Sequence, residues 1–137
     1  MTAYWILKTE PEAYSIDDLA KDKVTNWDGV RNYQAQSYMK QMKKGDVCYI
    51  YHSVTDKAIV GTGEVSGEFQ PDPTDQSGKF GMIKVKFVGK VKRKIPLSEI
   101  KSTAALADIL LVKQSRLSVI PLDSEQYKTI TRLSAVQ

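Results

Sequence analysis

Residues 82–95 carry a two-residue alternation. Ile83, Val85, Phe87, Val91 and Ile95 hold odd positions, and Lys84, Lys86, Lys90, Lys92 and Lys94 hold even ones. Successive side chains of a strand point to opposite faces, whereas helical side chains repeat near 3.6 residues. The run therefore predicts one long strand with an apolar face and a cationic face, ended by Pro96. A chain holding such a strand must build a sheet and cover its apolar side.

Other strands read from apolar runs bounded by turn residues: Tyr4 to Lys8, Val47 to His52, Ile59 to Phe69, and Arg116 to Ile120 closed by Pro121. Gly61 and Gly63 strip one face of the third of these, which suits a bulge or a close approach. Helices are expected after Ser15, a good N-cap followed by Asp17 and Asp18, and over Ala35–Met42, where Ala35, Tyr38, Met39 and Met42 share one face. Short helices are expected near Ser98–Lys101 and Thr103–Ile109. A terminal helix capped by Asp123 or Ser124 carries Tyr127, Ile130 and Leu133. About five strands with short helices at both ends give an α+β domain, a small curved sheet or barrel, spanning residues 1–137 as one unit.

Charge and cysteine content exclude several classes. The chain of 137 residues carries a net charge of +4. The six positive residues from Lys84 to Lys94 account for more than that excess: the remainder holds 14 basic and 16 acidic residues. A broadly basic, histone-like binder is thereby disfavoured. One cysteine, Cys48, and one histidine, His52, cannot alone make a disulfide or a structural zinc site. Cys48 lies in an apolar stretch and reads as a small buried thiol. No apolar run is long enough for a membrane helix, and the N-terminus lacks signal-peptide character, so a cytosolic protein with no membrane partner is expected. No cofactor or metal is expected, since neither a Gly-x-x-x-x-Gly-Lys nor a Gly-x-Gly-x-x-Gly loop occurs.

Three constellations could carry function. The first is Trp27-Asp28-Gly29-Val30-Arg31-Asn32-Tyr33, which gathers two aromatics, a guanidinium, a carboxylate and an amide about one glycine. It suits a pocket for a flat polar ligand, stacked on a ring and read at its edge by Asn32 and Arg31. It equally suits a buried Trp27 plugging a core, with Asp28 capping a turn. The second is the lysine stripe, Lys84, Lys86, Lys90, Lys92 and Lys94, able to follow a phosphate backbone or simply to guard a strand against aggregation. The third is Arg116 and Ser118, which strand alternation puts on one face. His52 and Ser53 end a strand, but neighbours on a strand point apart, so a Ser-His-Asp triad using Ser53 or Ser118 with Asp28 is disfavoured. The carboxylates give no acid–base pair: Asp17 and Asp18 diverge, and Asp72 and Asp75 read as solvent-exposed loop residues.

Tyr4-Trp5-Ile6-Leu7-Lys8-Thr9-Glu10-Pro11, Tyr14-Ser15-Ile16-Asp17-Asp18-Leu19 and Trp27 through Ala35 closely resemble the EVE domain. The likeness continues through Lys44-Gly45-Asp46, Tyr51-His52-Ser53, Ile59-Val60-Gly61 and Arg116-Leu117-Ser118-Val119. The resemblance implies a PUA-like fold, a mixed curved β-barrel with flanking helices, in a superfamily that includes RNA binders and readers of modified bases. It implies ligand-binding positions at Lys8, Thr9, Trp27, Gly29, Val30, Arg31, Asn32, Tyr33, His52, Ser53, Arg116 and Ser118. The partner it implies is nucleic acid or a modified nucleotide, bound without catalysis. The rival class is a small hydrolase of modified nucleosides, with His52 or Lys8 as base. The sequence departs from the family in three places. Its loop from Pro71 to Phe80 is shorter than a frequent insertion, Phe80-Gly81 stands where a Trp is common, and Lys84 stands where an acid is common.

Overall fold

Apolar alternation, helix caps and two glycines explain most of the architecture seen in the computed structural model, which describes residues 2–135. The strands are β1 (Tyr4–Thr9), β2 (Val24–Trp27), β3 (Val47–His52), β4 (Ala58–Pro71), β5 (Gly81–Pro96) and β6 (Val119–Leu122). The helices are α1 (Ile16–Asp22), α2 (Tyr33–Met39), α3 (Leu97–Ser102), α4 (Leu110–Lys113) and α5 (Ser124–Ala135). One curved mixed sheet runs in the order β2-β5-β4-β3-β1-β6. Its one parallel pairing among the described residues is β1 with β3, so Thr9 and His52 end side by side.

The core is aliphatic. Ile6, Leu7, Ile50, Ile59, Ile83, Ile95 and Ile120 from the strands meet Leu19, Met39, Ile100 and Ile130 from the helices, all essentially fully buried. Each such side chain contributes roughly 1.5–3 kcal/mol. Two polar groups tie the elements together. The buried carboxylate of Asp46 accepts from the Trp5 indole N–H (3.1 Å), the Ala3 N–H (3.0 Å) and the Lys43 N–H (2.9 Å), pinning the start of β1 to the turn before β3. Helix α1 carries a full capping box between Ser15 and Asp18. Gly61 has the use its position suggested: a methyl group there would collide with Ile16, so the bare backbone lets α1 sit against the sheet. Cys48 is buried, and burial pushes its thiol well up from the ordinary value.

The structure corrects several expectations. There are six strands among the described residues, because Val24–Trp27, which none of the expected strands covers, forms β2 by pairing with β5 from Val24↔Lys86 to Trp27↔Ile83. The last strand begins at Val119, and Arg116 and Ser118 lie in the preceding turn, where the Leu117 N–H donates to the Gln114 carbonyl (3.0 Å). Residues 103–109 form tight turns with the Leu106 N–H on Thr103 and the Ile109 N–H on Leu106; the helix itself covers Leu110–Lys113.

The lysine stripe is also not one face. Opposite β4, Gly63 pairs with Phe87 and Thr62 with Gly89, leaving Val88 as an extra residue on β5. A bulge of one residue reverses the side chains that follow it as far as the next irregularity, which here lies between Gly61↔Lys90 and Ile59↔Ile95. Lys86 therefore shares a face with Glu64, its ion-pair partner at 3.4 Å, whereas Lys90 opposes Gly61 and pairs with Asp17 of α1 on the other face.

Candidate nucleic-acid interface

Strand β1 ends at Thr9 and strand β2 ends at Trp27, and residues from both ends line one cleft. A cleft of about 640 Å³ opens there, walled by Lys8, Thr9 and Ser118 on one side and by Trp27, Gly29, Val30 and Arg31 on the other. Tyr14, Thr25, Asn26 and Asp28 complete its polar and aromatic lining. Trp27 is only 7% exposed, and its ring meets Tyr14 edge to face at 6.2 Å and 88°. The indole is thus both a core plug and a cleft wall. Burial pushes the Tyr14 phenol up from its usual value, and its hydroxyl donates to Asp22 at 2.8 Å.

The Trp27–Tyr33 turn is held by a residue the sequence reading placed in solvent. Asp72, whose side chain is fully buried, accepts from the Gly29 N–H (2.8 Å), the Arg31 guanidinium (3.0 Å), the Thr74 N–H (2.8 Å) and the Thr74 hydroxyl (2.6 Å). Burial alone would push its carboxyl up. The bonds from Thr74, Gly29 and Arg31 outweigh that and hold it well below the usual carboxylate range. Gly29 sits at φ 78, in the left-handed region. Asp28, expected to cap the turn, is exposed at the cleft instead. Gln36 on α2 is the second missed residue. Its buried amide donates to the carbonyls of Val30 (3.0 Å) and Gly81 (2.9 Å) and accepts from the Gly81 N–H (2.9 Å), locking the turn to the start of β5. The signals for both were faint: Asp72-Pro73-Thr74 has the spacing of an Asx turn, and Gln36 is a polar residue one step along the apolar face of α2.

Seven of the expected positions meet in this cleft: Lys8, Thr9, Trp27, Gly29, Val30, Arg31 and Ser118. The Arg31 guanidinium is turned away from a free role, braced on Asp72 and on the Thr74 hydroxyl (3.0 Å) and lying 5.3 Å from the centre of the Phe80 ring. Asn32 and Tyr33 do not line the cleft. The Asn32 side chain caps α2 by accepting from the Ala35 N–H (2.9 Å), and Tyr33, 69% exposed, packs on Phe80 at 5.2 Å. His52 is buried with both ring nitrogens engaged: Nε2 accepts from the Ile16 N–H (3.0 Å), and Nδ1 faces Asp56 (2.7 Å). An imidazole whose accepting nitrogen already holds a backbone N–H secures α1 and cannot double as a free base.

Ser53 and Arg116 line a second cleft of about 740 Å³, and Lys8, Thr9 and Ser118 form the wall between the two. The Lys8 ammonium donates to the Ser115 carbonyl at 2.6 Å, and burial pushes it below the ordinary lysine value. Among the described residues no group of three or more His, Cys, Asp or Glu side chains is placed to hold a metal ion, and no helix is long and apolar enough to cross a membrane.

Fold and site together define a PUA-like domain of mixed curved sheet with a cleft at the ends of β1 and β2. The sequence profile of the EVE domain matches residues 3–133, and the chain belongs to the EVE domain family. Thymocyte nuclear protein 1 of Homo sapiens is 33% identical over 167 residues, covering 97% of this chain and 74% of that protein. The crystal structure of the human THYN1 protein in complex with 5-methylcytosine containing DNA superimposes with a TM-score of 0.93 at 31% identity, covering 99% of both chains. Rpa0253 from Rhodopseudomonas palustris superimposes with a TM-score of 0.92 at 39% identity, covering 97% of this chain and 93% of that one. An ASCH protein from Zymomonas mobilis, at 12% identity and a TM-score of 0.58, shares the fold alone.

Proposed function

We propose that this domain is a non-catalytic nucleic-acid binding module whose first cleft receives one base, with a modified base as the preferred guest. The observation that carries the reading is the cleft itself. At about 640 Å³ it has the size of a small-molecule site, and it sets an indole and a phenol beside hydroxyl, amide and backbone N–H groups. Such a lining suits a planar ring with a polar edge, held by stacking and by hydrogen bonds. Thr9, Thr25 and Ser118 offer hydroxyls, and Lys8 offers a cation at the rim. The relative solved with 5-methylcytosine containing DNA supports the choice of guest. A cytosolic setting belongs to the same reading, since the proposed partner is met inside the cell; the human relative is named for the nucleus.

The hydrolase alternative needs His52 or Lys8 as a base. His52 lines neither cleft and has its accepting nitrogen filled by Ile16, which favours the binding reading.

Calorimetry with DNA and RNA oligonucleotides carrying 5-methylcytosine or cytosine tests the proposal. The modified strand is expected to bind more tightly. Trp27→Phe should keep the core yet weaken binding by up to about tenfold, as expected for losing part of a stacking surface worth roughly 1–3 kcal/mol. Ser118→Ala should narrow the gap between the two bases. Equal binding of both strands by the native protein, unchanged in both variants, would contradict the reading. So would turnover of a modified nucleoside that is lost in Lys8→Gln.

A further inference from the structure

Four cations line the two clefts, and two of them are already engaged: Arg31 is paired with Asp72, and the Lys8 ammonium donates to the Ser115 carbonyl. Lys57 and Arg116 are different. Both are exposed, and among the described residues neither makes an ion pair or a side-chain hydrogen bond. They come from distant segments, the β3–β4 turn and the turn before β6, yet both line the second cleft. Ser53 adds a hydroxyl there, and Glu10 is the one carboxylate in that lining. The β3–β4 turn is also unusual in its backbone: Val54 holds φ 68 and Lys57 holds φ 47. A left-handed conformation is a genuine outlier for a β-branched residue, and Val54 is 64% exposed. Outliers of this kind collect at binding sites, where the surrounding structure enforces them.

We propose that the second cleft holds the phosphodiester backbone of the strand whose base enters the first, with Lys57 and Arg116 as its cation contacts. The inference rests on the base-binding reading of the first cleft. A base and its own phosphate are joined through a single sugar, so a backbone site must adjoin the base site. The clefts meet that demand, because Lys8, Thr9 and Ser118 belong to both. Lys86 and Lys90 of β5 fit it less well, since the bulge at Val88 sends them to opposite faces and each already has a carboxylate.

Affinity for oligonucleotides with 5-methylcytosine or cytosine, measured across a range of salt, tests this. The variants are Lys57→Gln/Arg116→Gln, the rival pair Lys92→Gln/Lys94→Gln, and a distant control, Lys21→Gln/Lys128→Gln. Losing two phosphate contacts should flatten the slope of log affinity against log salt by about two and weaken both strands alike, leaving their ratio unchanged. The control should behave as the native protein. An unchanged slope in Lys57→Gln/Arg116→Gln overturns the proposal while base discrimination survives. A slope lost instead in Lys92→Gln/Lys94→Gln overturns it in favour of β5. A variant that changes only the ratio between the strands makes the second cleft a base reader and also overturns it. Should the native protein bind both strands equally and still lose slope in Lys57→Gln/Arg116→Gln, the base reading fails and the backbone site stands. Binding of neither strand by the native protein overturns both.

Discussion

Asp72 is the residue on which the shape of the cleft depends. It takes four hydrogen bonds into a buried carboxylate and fixes one wall of the site from 43 positions along the chain. Asp72→Asn keeps the volume but loses charge and leaves an amide facing donors. The expected loss is about 2–3 kcal/mol of unfolding free energy, by urea denaturation, since buried donors without partners carry their full desolvation penalty. The pH dependence follows from the depressed carboxyl. Because the folded value lies below the unfolded one near 4, the unfolded chain binds more protons between them. Asp72 therefore stabilises the fold above about pH 4, and that contribution disappears as pH falls further. The acid limb of the native stability profile should be steeper than that of Asp72→Asn. Equal limbs would show that Asp72 is not charged in the folded turn. The Asx-turn spacing of Asp72-Pro73-Thr74 was the one local hint of this residue: its partners Gly29 and Arg31 are set by the tertiary fold, and an Asp between two prolines reads as a surface turn. The Gly29 turn, by contrast, was legible, since a lone glycine among six larger residues suits a turn with a positive φ.

At the level of elements, legibility followed the strength of the alternation. Strands β3, β4 and β5 announced themselves through long apolar runs, and the α1 cap through Ser15 and the acids after it. Strand β2 did not, because four residues hold too little pattern and its strand character comes from pairing with β5. The stretch from Arg116 to Ser118 misled for the opposite reason: it carries alternation but turns, with Ser118 bonded through its carbonyl to the Lys8 N–H (2.9 Å). The bulge at Val88 was invisible, since register belongs to two strands and not to one. Gly61 offers the test at this scale. Gly61→Ala places a methyl where Ile16 lies and should cost about 1–3 kcal/mol through overpacking. Pairing it with Ile16→Ala should recover part of that loss, measured as a double-mutant cycle. Additive losses would mean that α1 does not rest on Gly61.

Across the whole molecule, the parallel pairing of β1 with β3 and the short β2 at the sheet edge bring the site together. They gather Lys8, Thr9, Trp27 and Ser118 from three segments into one hollow, while His52, read from sequence as a site residue, is spent on holding α1. The two tryptophans make that hollow directly testable. Trp5 donates its indole N–H to Asp46 and lines neither cleft, whereas Trp27 walls the first. In an NMR titration with an oligonucleotide carrying 5-methylcytosine, the Trp27 indole N–H and the Gly29 amide should shift while the Trp5 indole N–H stays in place. Binding that leaves the Trp27 indole and Gly29 unmoved would contradict the account.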